Sequence, residues 1–396
     1  MNAPDAIVVT GIGVRAPCAR DVEAFWSNAL AGTVATQELI RVDTSRLSAT
    51  RGGEVTSTVE GDDGDPLVVR LAVEVARMAV RDAGLSPATV AYERVGVCFG
   101  TVMGTRPGVE RWLTTPSSRR AEAADEAWAS PSLLSQAPAR ELGFGGPNYV
   151  IATACAAGNS AIAQGVDLLR ARRADAMVVG GADELSLAML MMFDSFRLLA
   201  PDAVRPFDRA REGLLLGEGA AALVLEREAD ARARRARVHG RVLGHANVAD
   251  AIHITAPHPE GRGAIRAMRR ALAHAGVEAK DVDHVSAHGT GTPANDAVEA
   301  QAIRTVLGGA ADATPVTALK SMLGHAQGAA SAIEGVGCML AIRDGLIPPV
   351  ANHETRDPAC DIDVVVGRAR EAPVQVALSN AFGFGGNIEC VVFGAP

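Results

Sequence analysis

Continuous apolar runs alternate along the chain with stretches whose apolar residues recur at helical spacing. The runs at residues 6–10, 95–99 and 176–179 are almost free of polar residues, which is typical of strands buried on both faces. Between residues 67 and 84 the apolar residues keep a helical period and a glycine closes the segment, so this stretch predicts an amphipathic helix that ends at Gly84. The alternation predicts the α/β class.

Two segments share an order of features. Residues 81–101 (RDAGLSPATVAYERVGVCFGT) and 273–290 (AHAGVEAKDVDHVSAHGT) each contain a helix end at Ala-Gly, a short linker, a buried strand and then Gly-Thr. Each is followed by a strand that turns through small residues into an Ala/Gly-rich helix, at Cys155 in one half and at His325 in the other. We therefore expect two duplicated halves, residues 1–235 and 236–396, whose two turns meet near a pseudo-twofold axis.

Composition narrows the class of protein. The net charge of −8 argues against sequence-independent nucleic-acid binding, and no apolar stretch is long enough to predict a membrane span. Six cysteines are scattered without paired spacing, which predicts neither a zinc cluster nor a disulfide framework and fits a reducing cytoplasm. We expect a soluble cytoplasmic protein.

The first candidate for chemistry is Cys155, within "ATACAAGNSA". A strand-to-helix turn places its side chain at a helix N-terminus, where unpaired N–H groups and the helix dipole favour a thiolate. The small residues around it leave the thiol accessible. A small buried cysteine in the core would have the same local sequence, so a nucleophile and a structural thiol both stay open.

The second candidate is "SAHGTGTPANDAVEA", in which His288 follows an apolar strand and precedes a Gly-Thr-Gly-Thr run. Its glycines allow close approach of a ligand to the backbone, and the hydroxyls of Thr290 and Thr292 suit an amide-bearing tail. Asp296 and Glu299 follow about one helical turn apart. The alternative is a glycine-rich turn before a helix that starts with proline.

Two further segments carry candidate residues. In "ALKSMLGHAQGAASAIEG", Lys320 is one of only two lysines of the chain, and His325 follows it. Glu334, further along the helix, can form an ion pair with Lys320 if the turn folds back. In "SNAFGFGGNIECVVF", the glycines free the backbone while Phe382 and Phe384 can move over a hydrophobic tunnel. A structural histidine and a hairpin with core aromatics are the respective alternatives.

Four motifs resemble, in their order along the chain, those of the β-ketoacyl-acyl carrier protein synthases of the elongating type, from fatty acid or polyketide synthesis. They are "TACAAG", "HGTGTPAND", "KSMLGHAQGAA" and "NAFGFGG". The likeness extends through "VVTGIG", "RPFDRAREGLLLGEGAAALVLE" and "IPPVANHETRDPACDID" and covers essentially the whole chain. The resemblance implies a thiolase-like, five-layered α/β/α/β/α fold built from two duplicated halves. It also implies decarboxylative Claisen condensation of a cysteine-bound acyl chain with a malonyl-type extender.

The resemblance assigns a role to each candidate. Cys155 becomes the nucleophile that takes the acyl group as a thioester. His288 and His325 bind the extender thioester carbonyl, promote loss of carboxylate and stabilise the enolate, while Lys320 and Glu334 order the site.

Other residues would bind and gate the substrate. The backbone N–H groups of Cys155 and Phe384 form the implied oxyanion hole, and Thr290 and Thr292 hold the pantetheine arm. Phe384, with Phe382 beside it, is the implied gate to the acyl pocket. Met103 matches a position that lines that pocket, with plain core packing as the alternative.

Three readings of the function remain open at this point. Fatty-acid members commonly have Thr-Asn where this chain has Asn387-Ile388, which favours polyketide synthesis, and Ala157 replaces a hydroxyl residue without removing a catalytic group. The first rival reading is a non-elongating acyltransferase or decarboxylase of the same fold. The second is a non-catalytic partner subunit of the chain-length-factor type, which typically lacks the nucleophile. Initiating synthases are disfavoured because they use asparagine in place of His325.

The expected partners are an acidic acyl carrier protein and a second subunit, either another copy or a chain-length-factor homologue. Four arginine-rich stretches are candidate landing zones for the carrier, with solvated helix faces as the alternative. They are Arg119-Arg120 and residues 170–173, 205–211 and 262–270. A polar segment at residues 105–138 is expected to cover a site or form a subunit contact. No metal or redox cofactor is expected, because the substrates arrive on the carrier's phosphopantetheine.

Overall fold

The computed structural model describes residues 6–60, 65–114 and 130–396. Its strands are β1 (Ile7–Arg15), β2 (Gln37–Glu38), β3 (Arg51–Gly52), β4 (Val95–Gly100), β5 (Asn148–Ile151), β6 (Ala176–Asp183), β7 (Gly219–Arg227), β8 (Gly240–Ala249), β9 (His284–Ser286), β10 (Pro315–Thr317), β11 (Leu346–Ile347), β12 (Asp363–Val364), β13 (Arg370–Glu371), β14 (Val376–Gly383) and β15 (Asn387–Gly394).

The helices of the described ranges are α1 (Val22–Ala31), α2 (Leu67–Ala83), α3 (Arg106–Thr114), α4 (Leu133–Leu142), α5 (Ala157–Arg170), α6 (Leu187–Ser195), α7 (Glu228–Ala233), α8 (Arg262–Ala275), α9 (Pro293–Leu307), α10 (Lys320–Leu323) and α11 (Gln327–Asp344). The predicted helix that ends at Gly84 is confirmed as α2. Gly84 closes it in the left-handed conformation, with φ 62°, which a residue without Cβ adopts at low cost.

The main sheet repeats one strand pattern twice. Its order is β12-β10-β9-β14-β15-β8-β1-β7-β6-β4-β5. On one side β4 runs parallel to β5 and β6, and β7 runs antiparallel to β6 and β1. On the other side β9 runs parallel to β10 and β14, and β15 runs antiparallel to β14 and β8. The two sides join where β1 pairs with β8 at Ile7 to Val9. Apart from the additional edge strand β12, the two sides share one order and one set of directions, which confirms the duplication.

Helices separate and cover the two halves of the sheet. α5 and α11 pack against each other in the centre, with α11 also contacting β6, β7 and β14. α2 and α4 cover the outer face of the first half, and α8 and α9 cover the second. The result is the five-layered α/β/α/β/α arrangement, which confirms the predicted fold class. The proposed boundary at residue 235 falls between α7 and β8 and stays a prediction.

Small residues let the two central helices approach closely. Every residue of α11 from Gln327 to Ala341 is buried, so over this length the helix presents no face to solvent. At Gly158 of α5 an added Cβ would lie 2.6 Å from the backbone nitrogen of Ala332 in α11. A side chain larger than hydrogen would push the helices apart there, and with them the turns that begin each helix.

Several expectations concern what the chain contains. None of the helices in the described ranges is long and apolar enough to cross a membrane. All six cysteines are free thiols. Within the same ranges no cluster of histidine, cysteine and acidic side chains could hold a metal ion. Residues 115–129 of the expected cover segment lie outside the described residues, so the role given to residues 105–138 stays a prediction.

Candidate active site

Cys155 lies on a sharp turn between β5 and α5. Ala154 adopts a left-handed backbone conformation, with φ 51°, that costs a residue with a Cβ about 1 kcal/mol or more. A short 3-10 turn, Ala154–Ala156, then leads into α5. The turn places the Cys155 thiol at the start of the helix, as predicted, with 7% of the residue exposed.

Burial dominates the protonation of this thiol. It raises the pKa of Cys155 to about 11, although the positive charge of Lys320 and the backbone N–H of Phe384 lower the pKa. The expectation of a thiolate favoured by the helix N-terminus is therefore wrong for the free protein, because desolvation of the charged form outweighs the stabilising groups. The resting residue is a thiol.

His325 lies at the matching turn of the second half, directly before α11. Its backbone pairs with the chain at Leu216, through N–H donation from His325 to the carbonyl of Leu215 at 2.7 Å. The N–H of Gln327 donates to the ring Nδ1 of His325 at 3.2 Å. Because Nδ1 accepts, the neutral ring carries its proton on Nε2.

His288 lies beside His325. The two ring centroids are 5.6 Å apart and the ring planes cross at 84°. Burial and then the charge of Lys320 lower the pKa of both imidazoles well below the ordinary value. Both rings are therefore neutral at pH 7, and a neutral imidazole offers one N–H donor without the desolvation cost of a cation.

Glu299 of α9 holds the backbone of the His288 loop. Its two carboxylate oxygens accept the N–H groups of His288 and Gly289, each at 2.8 Å. Burial raises the pKa of this carboxyl to about 7 even though these donors lower it. One turn earlier, Asp296 accepts the N–H of Gly291 at 3.1 Å. Asp296 and Glu299, which the sequence places about one helical turn apart, thus hold the His288 loop through its backbone N–H groups.

The two threonines of this loop face the same space. The hydroxyls of Thr290 and Thr292 lie 2.9 Å apart and both residues are buried. Their spacing lets one hydroxyl donate to the other while the second keeps a proton for a ligand carbonyl.

Lys320 and Glu334 form a buried ion pair beneath the histidines. Lys320 Nζ donates to Glu334 Oε1 at 2.5 Å, and both side chains are 2% exposed. This contact confirms the expectation that the turn folds back onto the lysine. Burial raises the pKa of Glu334 to about 7, and the charge of Lys320 lowers it.

Phe384 begins the turn between β14 and β15. Its ring stacks on Phe193 of α6 at 5.4 Å and meets Phe196 edge-on at 6.4 Å. An added Cβ on the preceding Gly383 would lie 2.7 Å from the carbonyl oxygen of Thr153, so only glycine lets this turn lie against the cysteine turn. The close approach brings the Phe384 N–H to the thiol.

Most of these residues line one cavity of about 500 Å³. Its walls include seven of the residues singled out from the sequence, namely Cys155, His288, Thr290, Thr292, His325, Phe382 and Phe384. Lys320 lies behind this wall. Met103 does not line the cavity. It packs instead in an apolar cluster with Phe193 and Phe384.

Asp183 is a buried residue that the sequence analysis missed. Its carboxylate accepts the N–H of Met103 at 2.9 Å and that of Gly328, in the first turn of α11, at 2.7 Å. Burial raises the pKa of Asp183 to about 6. The only signal in the sequence is an acid that closes the apolar strand β6. The carboxylate ties the Met103 loop to the helix that follows His325.

Comparison with known proteins identifies the family. Residues 4–231 match the model of the "Beta-ketoacyl synthase, N-terminal domain" and residues 239–354 match the "Beta-ketoacyl synthase, C-terminal domain". The chain is 40% identical over 396 residues to nodulation protein E of Rhizobium sp. (strain N33), covering 96% of each chain. It is 37% identical to the tetracenomycin polyketide synthase ketoacyl synthase alpha subunit of Streptomyces glaucescens, covering 100% of this chain and 98% of the relative.

Solved structures agree. The ishigamide ketosynthase/chain length factor superposes with a TM-score of 0.92 at 38% identity, covering 99% of each chain. A ketosynthase solved with a type II polyketide synthase acyl-carrier protein, and bound to the hexaketide, gives a TM-score of 0.92 at 30% identity, covering 99% of this chain and 100% of that one. The chain therefore belongs to the β-ketoacyl synthase family, the acyltransferases that condense acyl chains in fatty acid or type II polyketide synthesis.

Proposed function

We propose that this β-ketoacyl synthase carries the growing chain on Cys155 and uses His288 and His325 to decarboxylate the extender. The observation that carries the proposal is the convergence of one thiol and two neutral imidazoles on a single cavity. These residues come from three separate loops, and nucleophile and donors in one cleft are what acyl transfer requires.

The first half-reaction transfers the acyl group. The Cys155 sulfur attacks the carbonyl carbon of an acyl thioester, the bond from that carbon to the pantetheine sulfur breaks, and the thiol proton passes to the departing sulfur. The backbone N–H groups of Cys155 and Phe384 would stabilise the oxyanion that forms between these events. The high pKa of the thiol means that the proton leaves as the bond forms, with Lys320 stabilising the sulfur charge.

The second half-reaction uses the histidines. With both imidazoles neutral, their N–H groups can donate to the thioester carbonyl oxygen of a malonyl-type extender. The carbon–carbon bond to the carboxylate breaks, carbon dioxide leaves, and the electron pair remains as an enolate that the two donors stabilise. The enolate carbon then attacks the carbonyl carbon of the Cys155 thioester, the bond from that carbon to the cysteine sulfur breaks, and the sulfur leaves as a thiolate that takes a proton from solvent.

Lys320 acts through other groups, so we propose that it is a positioning residue. Its charge, held by Glu334, lowers the pKa of Cys155, His288 and His325 alike. Burial is the main cause that keeps the histidines neutral, and the Lys320 charge adds to it while it also stabilises the thiolate. A lysine without Glu334 would leave an uncompensated charge in the core.

The remaining assignments concern substrate entry. Thr290 and Thr292 would hold the amides of the pantetheine arm, and no cofactor beyond that carrier arm takes part in the proposed reaction. Phe384, with Phe382, would gate the acyl pocket by leaving its stack on Phe193. Met103 packs in the same apolar cluster as the two stacked rings, so we propose that it limits chain length only after the gate opens.

The proposed partners are an acyl carrier protein and a second ketosynthase-type subunit. Support comes from the carrier protein and the chain length factor named with the two structural neighbours. Two arginine stretches, residues 205–211 and 262–270, border the cavity residues Glu212 and Gly261. Residues 170–173 lie at the opposite end of α5 from Cys155, which makes them a poor landing zone, and Arg119-Arg120 lies outside the described residues. Polyketide synthesis and a cytoplasmic location stay predictions.

The test is extension of a carrier-bound chain by two carbons. Purified protein is incubated with acyl carrier and malonyl carrier, and the product masses are measured. We expect wild type and Cys18→Ala to form the longer β-ketoacyl carrier and Cys155→Ala to form none. Cys18 is the exposed thiol and serves as the control.

Other results would favour the rival readings. Acyl-enzyme without extension, in the presence of a candidate partner subunit, would favour the non-elongating acyltransferase. Extension that survives Cys155→Ala would contradict the proposal outright. A non-catalytic partner subunit would take up no acyl group at all.

A further inference from the structure

Gln327 is a buried amide with no partner. The residue is 1% exposed, and among the described residues neither its side-chain nitrogen nor its side-chain oxygen has a hydrogen-bond partner. Leaving an amide unpaired in the interior costs about 1–3 kcal/mol by mutational measures. The backbone adds to this cost, since φ is 55°, in the left-handed region. An apolar residue would avoid the first cost, and a ligand that pairs with the amide would account for its presence.

The position of Gln327 indicates which ligand. Its own N–H donates to the ring of His325, so the two residues are fixed relative to each other. The next residue, Gly328, is held by the carboxylate of Asp183, which also holds the N–H of Met103. On the other side, an added Cβ on Gly158 would lie 2.9 Å from the carbonyl of Gly328, so α5 and the cysteine turn pack against the same helix end.

Gln327 therefore lies where the Cys155 turn, His325 and the Met103 loop meet. Gln327 does not line the cavity itself. In the proposed function the first carbons of a cysteine-bound chain reach this junction, beyond the thioester, when Phe384 leaves its stack and the acyl pocket opens. A saturated chain offers nothing to a primary amide there. A chain that keeps an oxygen on its β-carbon offers an acceptor to the amide N–H₂ or a hydroxyl to the amide oxygen.

We infer that Gln327 is a specificity-determining residue that selects acyl chains with an oxygen retained near the thioester, as in unreduced polyketide intermediates, over saturated chains. The inference rests on the proposed function, because it requires the chain to sit on Cys155. A site that hydrogen-bonds a substrate oxygen discriminates strongly against the analogue that lacks it, because the buried amide is then left unpaired.

The experiment measures the choice between two chains. Protein is offered hexanoyl and β-ketohexanoyl groups on the same carrier, and the initial rates of acyl-enzyme formation are read by intact mass. Gln327→Met keeps an unbranched side chain of similar length but removes the amide. Gln301→Leu, on the exposed face of α9, is the control for loss of an amide elsewhere.

We expect wild type and Gln301→Leu to prefer the β-keto chain and Gln327→Met to lose that preference by about tenfold, with the hexanoyl rate kept or raised. If Gln327→Met does not fold, Gln327→Leu replaces it. An unchanged ratio of the two rates in a folded variant would overturn the inference.

The two proposals fail in different ways. If wild type takes up neither chain on Cys155, the proposed function is contradicted, and with it the role of Gln327 that rests on it. If wild type takes up both chains at equal rates, Cys155 stands as the acyl acceptor and only the role of Gln327 is refuted.

Discussion

At Cys155 two physical effects oppose each other. Burial raises the pKa of the thiol, while Lys320 lowers it and also lowers the pKa of both histidines. One buried cation thus acts on all three groups in the direction that the proposed chemistry needs. Lys320 is one of only two lysines in the chain.

The first prediction concerns the charge of Lys320. Lys320→Met removes a cause that lowers the pKa of Cys155, so the thiolate fraction at any pH below that pKa falls. We expect alkylation of Cys155 by iodoacetamide to rise with pH between about pH 7 and 10 in wild type and to be several-fold slower in the variant at each pH.

The control for this prediction is the only other lysine. Lys280 is exposed and pairs with Glu278 at the surface, so Lys280→Met should alkylate at the wild-type rate. Equal rates in all three proteins would mean that the Lys320 charge does not act on the thiol. A wild-type rate that stops rising below pH 9 would contradict the raised pKa.

At the scale of elements, two turns that begin α5 and α11 bring the chemistry together. The first follows β5 directly, the second follows β10 through the short helix α10, and each opens one central helix. The hairpin turn of β14 and β15 closes over the first. Glycine at residue 383 permits that closure because the carbonyl of Thr153 occupies the space of a side chain. The proposed oxyanion hole depends on this contact, since one of its two N–H groups would come from the hairpin.

Gly383→Ala should therefore separate the hairpin from the cysteine turn. We expect acyl transfer to Cys155 to slow by about a hundredfold, the loss typical of one missing oxyanion donor, while the fold is retained by circular dichroism. Gly309→Ala is the matched control, since an added Cβ there meets nothing within 4 Å. Acyl transfer within twofold of wild type in Gly383→Ala would show that the Phe384 N–H is dispensable.

At the scale of the molecule, two arginine stretches, residues 205–211 and 262–270, adjoin Glu212 and Gly261 of the cavity wall. Arg209 is exposed and lies three residues before Glu212 of the cavity wall, whereas Arg173 lies beyond the far end of α5. Charge at the mouth should steer an acidic carrier, and charge at the far end should not.

Reversing the charge of one arginine in each region tests which of the two regions binds the carrier. Arg209→Glu should raise the KM for malonyl carrier several-fold, with an effect that shrinks as salt is added, because rim charges act mainly on association. A free pantetheine thioester should react as in wild type. Arg173→Glu should leave both substrates unaffected, and an equal effect of the two variants would move the landing zone away from the cavity mouth.

Much of this organisation could be predicted from the sequence. The buried strands, the duplicated order and the motif residues around Cys155, His288 and His325 are local patterns, and each has a local physical signature. The contact of Lys320 with Glu334 was also predictable because both belong to one turn and its helix.

Other features depend on distant parts of the chain. Asp183 binds Gly328, and Phe384 stacks on Phe193, across separations that no local period encodes. The unpaired amide of Gln327 is visible only when every neighbour is placed. The raised pKa of Cys155 was predicted with the wrong sign because the helix N-terminus is a local feature whereas the depth of burial is not.

The most direct test of the central claim is to map the acyl group. Wild-type protein is loaded from an acyl carrier, digested and analysed by peptide mass. We expect the added mass on the peptide that contains Cys155, with none on the peptide of the exposed Cys18. An acyl group found on another residue, or a Cys155 peptide that stays unmodified while extension proceeds, would contradict it.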